Sequence, residues 1–354
     1  MKTVIAEIIA SVFLIMSVMV GQERMKTESF DFIFEGNKLD GVLDLPALKE
    51  PESLVLIIQG YGRTNVVAGN WYNQLRAAFV QQGIACYIWD KPGCGKSEGV
   101  FDVNQSVQNS AREAIAAIQD LKRRNVHGSS KIELWGISRA GWICPLIIQA
   151  YPSIAFWISV SGTDDKENFG YLLETNLRIE GRSEEQTQRL MSEFYNGNNI
   201  FRKGGSFAEY QKATQNLRKD TFWLSVSGEQ YTLEGYQRNQ KKVIDEHHAF
   251  DEKTGLMIYV SGFRDILHSI HCPVLAIFGE KDANVDWRKT KTLYRETIGA
   301  NKGARLTIRT FPSGNHNIMN CKTGGYHEHT EGSQPCDGYY DAIALWLREN
   351  QFGS

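Results

Sequence analysis

Trp135-Gly136-Ile137-Ser138-Arg139-Ala140-Gly141 is the stretch on which the fold turns. An apolar run from Ile132 ends at Trp135, and an apolar segment with helical spacing opens at Arg139. A serine between a buried strand and a helix, with small residues two places away on either side, has the pattern of a nucleophile elbow. Such a turn is sharp enough that only small neighbours fit, and it leaves the hydroxyl standing at the strand's end. Gly136 meets the requirement on one side; on the other, Ala140 stands where glycine is usual, with Gly141 next. A short Gly-x-Ser also arises by chance, and the competing reading is a serine that merely caps the following helix.

Outward from this stretch the chain repeats one pattern. Short apolar runs, Leu54–Ile58, Ile84–Trp89, Ile132–Trp135, Ala155–Val160, Val274–Phe278 and Leu306–Phe311, suit strands buried on both faces of a parallel sheet. Between them Val107, Ala111, Ala114, Ile115, Ile118 and Leu121 recur at helical spacing, and Trp287–Glu296 and Tyr339–Leu347 behave alike. Strands alternating with helices imply an α/β fold: a mostly parallel, doubly wound sheet with helices on both faces. Ahead of it, Phe30, Phe32 and Phe34 alternate with polar residues before a Gly36-Asn37 turn, and Leu39, Val42, Leu43 and Leu45 follow, so an antiparallel hairpin is expected. From Gly162 to His271 the alternation lapses into a stretch rich in Glu, Gln, Arg and Asn with no clear strand. It reads as a helical insertion that caps the C-terminal edge of the sheet, where open α/β folds bind ligands. A solvated helical appendage is the plainer alternative. As a cap it would supply apolar walls, with Phe222 and Trp223 the candidates, and replacing it by a linker is expected to alter substrate preference more than chemistry.

A serine hydroxyl needs a base and an orienting acid to act as a nucleophile, and on this kind of sheet they follow in the order Ser, acid, His. His316, in Ser313-Gly314-Asn315-His316-Asn317, comes just after the last strand in a loop-forming context. His127 precedes the serine; His247, His248, His268 and His271 fall in or beside the insertion, and His327 and His329 lie farther downstream. The acid belongs after Val274–Phe278, in Gly279-Glu280-Lys281-Asp282-Ala283-Asn284-Val285-Asp286; Asp282 is the natural choice, with Asp286 and Glu280 as rivals. An oxyanion hole built of backbone amides would use those of Arg139 and of Tyr61, the latter in Gln59-Gly60-Tyr61-Gly62 after the strand Leu54–Ile58.

Composition narrows the remaining classes. The chain has 354 residues, 42% hydrophobic and 23% charged, which suits one large globular domain or two small ones. A net charge of -2 offers no general attraction to nucleic acid. Lys2, the apolar run Val4–Val20 and the polar Gln22-Glu23-Arg24 describe a leader over residues 1–21. Export to the periplasm or medium is therefore expected, with no stable membrane insertion once the leader is removed; anchoring by this segment is the alternative. Of six cysteines, Cys86 and Cys144 sit in apolar runs, while Cys321 and Cys336 share a Gly-rich loop and could pair in an oxidising compartment. Gly95-Lys96-Ser97 mimics the end of a phosphate-binding loop, but the required first glycine falls on Asp90, so Asp90–Ser97 is a tight loop leaving a strand. His327-Glu328-His329 reads as a solvated polar cluster rather than a metal site.

Taken together, the residues from Ser29 onward resemble the α/β-hydrolase superfamily, and within it the bacterial esterases and the dienelactone-hydrolase or prolyl-oligopeptidase-like proteins. Asp90–Ser97, Gly141-Trp142, Cys144–Ile148, Val160-Ser161-Gly162, Asn315-His316-Asn317 and Lys322-Thr323-Gly324 carry the resemblance. It departs at Ala140, and at Gln59 where histidine is common. The resemblance implies a hydrolase core over residues 28–161 and 272–354 with a cap at 162–271. It also implies Ser138, Asp282 and His316 as a catalytic triad, a small-molecule ester as substrate and no cofactor. A prolyl-oligopeptidase-like peptidase or amidase is the runner-up, and a non-catalytic binding protein on the same fold is the remaining alternative.

Overall fold

The computed structural model describes residues 25–165, 169–227, 232–328 and 334–352. The expected leader at residues 1–21 and His329 lie outside them. Strand β1 (Met25–Ser29) is followed by a hairpin, β2 (Phe32–Phe34) and β3 (Asn37–Leu39), and then by β4 (Gly41–Pro46). The six apolar runs become β5 (Ser53–Ile58), β6 (Ile84–Trp89), β7 (Ile132–Ile137), β8 (Trp157–Val160), β11 (Val274–Gly279) and β12 (Leu306–Phe311). Two-residue strands β9 (Ala249–Phe250) and β10 (Met257–Ile258) pair with each other inside the insertion. The main sheet has eight strands in the order β1-β4-β6-β5-β7-β8-β11-β12. β1 and β4 run antiparallel at one edge and the rest run parallel. Every residue of β5, β6, β7, β8 and β11 is buried, as continuous apolar runs require, whereas the edge strand β12 is half-buried. Each fully buried Leu, Ile or Val contributes roughly 1.5–3 kcal/mol, so β5 alone commits the chain to the sheet's centre.

The N-terminal hairpin differs from expectation in register and extent. Its two-residue turn is Glu35-Gly36, both at positive φ (47° and 81°), and Asn37 already pairs with Phe34. Two left-handed residues match the twist of the flanking strands. Val42, Leu43 and Leu45 belong instead to β4, which leaves the hairpin to pair with β1 and β6. Phe30 and Phe32 drive this, burying edge-on against Tyr87, with Phe32 also against Trp89 of β6.

The insertion forms the helices Phe169–Ile179, Glu184–Arg202, Phe207–Ala213, Thr221–Val226 and Leu233–Asp245. Ser183 with Gln186 and Ser206 with Glu209 make capping boxes that start two of them. Leu173, Leu177, Leu190, Met191, Phe194, Leu217, Phe222 and Trp223 form a core of the insertion's own, apart from the two cores on the faces of the sheet. The later part of the segment packs differently: Val260, Phe263, Leu267 and Ile270 join the sheet's core. Among the described residues no helix is long and apolar enough to cross a membrane.

Candidate active site

Ser138 sits between β7 and the helix Ala140–Ala150 at φ 58°, a left-handed conformation unusual for serine. Its amide donates to Val160 O at 2.9 Å, tying the turn to the neighbouring strand. The Ala140 methyl is accommodated because Gly136 lacks one: a Cβ on Gly136 would lie 2.8 Å from the Ala140 Cβ. Arg139 is the helix N-cap, so Ser138 stands at the positive end of that helix.

Asp282 and His316 are brought together. His316 Nδ1 lies 2.8 Å from Asp282 Oδ2, and since an ionised carboxylate only accepts, Nδ1 carries the proton and leaves Nε2 as the acceptor. Asp282 is buried, and its Oδ1 accepts from the amides of Asn284 (2.8 Å) and Val285 (3.0 Å), which fixes the carboxylate plane. Of the two rival acids, Asp286 has its carboxylate engaged elsewhere, while Glu280 contributes only a backbone contact. Asp286 caps the helix Trp287–Glu296 by accepting from Arg288 N and Lys289 N, and the Glu280 carbonyl accepts from Trp287 Nε1.

The loop after β5 passes close to the serine. A Cβ on Gly60 would lie 3.1 Å from Ser138 Cβ and 3.7 Å from its Oγ, which only glycine allows without displacement. Among the described residues no acceptor takes up the amides of Tyr61 or Arg139, while those of Ser138 and Gly141 are bonded. The Tyr61 side chain is exposed. Gln59, where the resemblance would have histidine, is buried and donates from Nε2 to Trp89 O.

Phe222 and Trp223, expected as pocket walls, are 0% and 3% exposed: Trp223 packs on Phe169 and Phe194 within the insertion's own core, and Phe222 is covered by Tyr326 and His327 of the loop after His316, so neither ring offers surface to a ligand. Two other residues of the insertion reach the site. Tyr171 Oη donates to Asp282 O at 3.0 Å. Asn176, 1% exposed, donates to Ala283 O at 3.0 Å and accepts from Tyr326 N at 2.6 Å. The helix Phe169–Ile179 thus braces both the acid-bearing turn and the loop that follows His316. A linker in place of the insertion would remove this brace and reach the chemistry as well as the specificity. Asn176→Ala leaves the buried Ala283 carbonyl and the part-buried Tyr326 amide without this partner and should cost about 1–3 kcal/mol. It should also lower kcat by at least about tenfold, since misplacing a reacting group by an ångström can cost about 10²-fold. Thermal melting and steady-state ester hydrolysis would measure both, and an unchanged kcat would show that the turn stands without the brace.

A second serine–histidine–carboxylate chain lies between the insertion and the C-terminal loop. Ser225 Oγ is 3.0 Å from His327 Nε2, and His327 Nδ1 is 2.7 Å from Glu180 Oε1. It lacks the features of the first: Ser225 sits in a regular helix and bonds back to Phe222 O at 2.7 Å, and Glu180 also pairs with Arg182. Glu328 accepts from the amides of Lys322, Thr323 and Gly324, shaping the loop itself. No group that could hold a metal ion occurs among the described residues. Cys321 and Cys336 are thiols; both touch Ser313, the first through its carbonyl at 3.2 Å and the second through its hydroxyl at 3.7 Å.

Comparison with known proteins bears on the whole arrangement. The family model described as serine aminopeptidase, S33, matches residues 49–322. No curated protein matches the chain. The esterase Pf2001 of Pyrococcus furiosus is 15% identical, with 92% of this chain and 91% of that one covered, at a TM-score of 0.53. Est1E from Butyrivibrio proteoclasticus, solved with ferulic acid bound, is 16% identical over 91% of this chain and 97% of that one, at 0.51. DcsB, solved with its substrate analogue, is 15% identical over 92% and 99%, at 0.52. At such identities the likeness is one of fold.

Proposed function

The chain belongs to the S33 serine aminopeptidase family of α/β hydrolases, and from that premise we propose that it cleaves a carboxylic ester of a small molecule through Ser138, His316 and Asp282. The reading rests above all on one observation: the 2.8 Å contact between His316 Nδ1 and Asp282 Oδ2, on a loop and a turn at the sheet edge where Ser138 stands on its elbow. In this mechanism His316 Nε2 takes the Ser138 proton as Oγ attacks the ester carbonyl carbon. The amides of Arg139 and Tyr61 receive the oxyanion, and His316 passes the proton to the departing alcohol. Water then attacks the acyl-enzyme, giving its proton to His316, and the acid leaves as that proton returns to Ser138 Oγ. Side chains and water carry every transfer, so the reading calls for no cofactor.

An ester is favoured over an amide because, among the described residues, nothing near the site marks a subsite for a peptide terminus. Two of the structural neighbours are esterases by description or bind a phenolic acid. The family's own description favours the second reading, an aminopeptidase. A panel of nitrophenyl esters and aminoacyl-nitroanilides separates the two. Turnover of esters but not anilides is expected; the reverse would make the protein a peptidase. Failure of both classes, with no labelling of Ser138 by a fluorophosphonate, would leave a binding protein. Export of the chain is part of the same proposal, and fractionation of cells producing the full sequence would test it.

A further inference from the structure

Lys91, the second residue of the loop that leaves β6, has no part in the chemistry above, yet its side chain ends beneath the oxyanion loop. Its Nζ donates to Gly60 O at 2.6 Å and to Gly62 O at 2.9 Å, one carbonyl on each side of Tyr61. We propose that Lys91 is a positioning residue of the oxyanion hole, holding these two carbonyls so that the Tyr61 amide points at the substrate oxygen.

The proposal rests on the ester-hydrolase reading, and its geometry is that of the peptide group. The Gly60 carbonyl and the Tyr61 amide share one planar unit, and in a trans peptide they point in opposite directions; no cis bond occurs among the described residues. Anchoring the carbonyl on Lys91 therefore turns the Tyr61 N–H away from the lysine, in a loop whose Gly60 lies against Ser138. The second anchor fixes the other flank: Gly62 is at φ 91°, a conformation that glycine holds without strain and that would otherwise swing freely. Two further ties join the same loops, Arg63 Nη1 to Gly93 O at 3.1 Å and Gln59 Nε2 to Trp89 O. A charge-assisted bond to a carbonyl also polarises its peptide, making the opposite N–H a stronger donor.

The charge is held here at a cost. Among the described residues Lys91 forms no ion pair, and its two partners are neutral carbonyls. Burial, reinforced by the Arg139 guanidinium and offset in part by the Glu113 carboxylate and by Cys94, brings the Lys91 amine down to about 8. Glu113 is itself buried and held by Trp89 Nε1 at 2.7 Å and Gln105 Nε2 at 3.0 Å, and Arg139 bonds Ser110 Oγ at 3.0 Å. If the ammonium aims the amide, the aim is lost as pH rises through about 8 and the lysine gives up its proton.

The test compares the parent with Lys91→Met and Lys91→Arg on one nitrophenyl ester, measuring kcat and KM across pH 6–10 alongside thermal melting. Removing one oxyanion donor costs about 10²–10³-fold in kcat, so Lys91→Met should lose on the order of 10²-fold in kcat with KM little changed. Lys91→Arg should recover most of that rate and, unlike the parent, keep it above pH 8. The parent's own pH profile needs no variant and survives a failure of Lys91→Met to fold. A Lys91→Met enzyme within about threefold of the parent in kcat, or a parent and a Lys91→Arg variant with the same alkaline limb, would overturn the proposal. Activity surviving in Ser138→Ala would instead sink the ester-hydrolase reading beneath it.

Discussion

Ser138→Ala is expected to lose ester turnover by up to about 10⁶-fold, the scale seen when a triad nucleophile is removed, and to lose fluorophosphonate labelling altogether. Three features concentrate this effect on one side chain. The left-handed φ of 58° holds the residue at the end of β7, Gly60 lies against it, and the positive end of the helix Ala140–Ala150 points at it. Alanine keeps the same backbone strain and adds none, so the melting temperature should stay close to the parent's. That combination, an intact fold with an inert site, is what distinguishes a nucleophile from a helix cap: a cap lost to alanine costs about 0.5–2 kcal/mol of stability and no chemistry. Persistent labelling in the alanine variant would point to a different serine, and Ser225 would be the first to examine.

Asp282→Asn carries the second largest expected loss, up to about 10⁴-fold in kcat by analogy with the protease triad. The asparagine oxygen can still accept from the Asn284 and Val285 amides, so the turn should survive. Its NH2 then faces His316 Nδ1, which can accept that bond only by shifting its proton to Nε2. A histidine in that tautomer cannot take the proton of Ser138. Asp286→Asn should stay within about tenfold of the parent, because asparagine caps a helix as well as aspartate. Glu280→Gln should do the same, since the Glu280 contact to Trp287 is made by its backbone carbonyl. Kinetics on the three variants decide the assignment. A crippled Asp286→Asn beside an active Asp282→Asn would move the acid one helical turn along the chain.

The strands were readable because burial on both faces leaves an unbroken apolar run, and β5, β6, β7 and β11 show one with little interruption. The elbow was readable for a related reason: a sharp turn excludes large neighbours, and that exclusion is written in Gly136 and Ala140. The hairpin slipped by one residue because glycine marks a left-handed position without saying on which side its partner falls, here Glu35. Phe222 and Trp223 misled because an aromatic pair has the same appearance in a pocket wall and in a small core. Tyr171 and Asn176 gave no signal at all. Each is a single polar residue on an amphipathic helix, and its partners lie 111 and 107 residues away. Lys91 was hidden differently: a lysine in a tight loop reads as solvated, and only the fold brings the loop after β6 under the loop after β5.

The brace formed by Asn176 has a consequence for how the two parts of the molecule communicate. One side chain bonds the turn carrying the acid and the loop beyond the histidine, and it belongs to the helix that also supports the insertion's own core. Any free energy with which the docked helix favours a well-aligned pair must be returned in equal measure when that pair is occupied. A phosphonate bonded to Ser138 would therefore slow hydrogen exchange in the helix Phe169–Ile179, although the inhibitor need not touch it. The insertion is then a thermodynamic partner of the sheet edge that holds Asp282 and His316, and sequence changes that retune one will be felt as altered stability in the other.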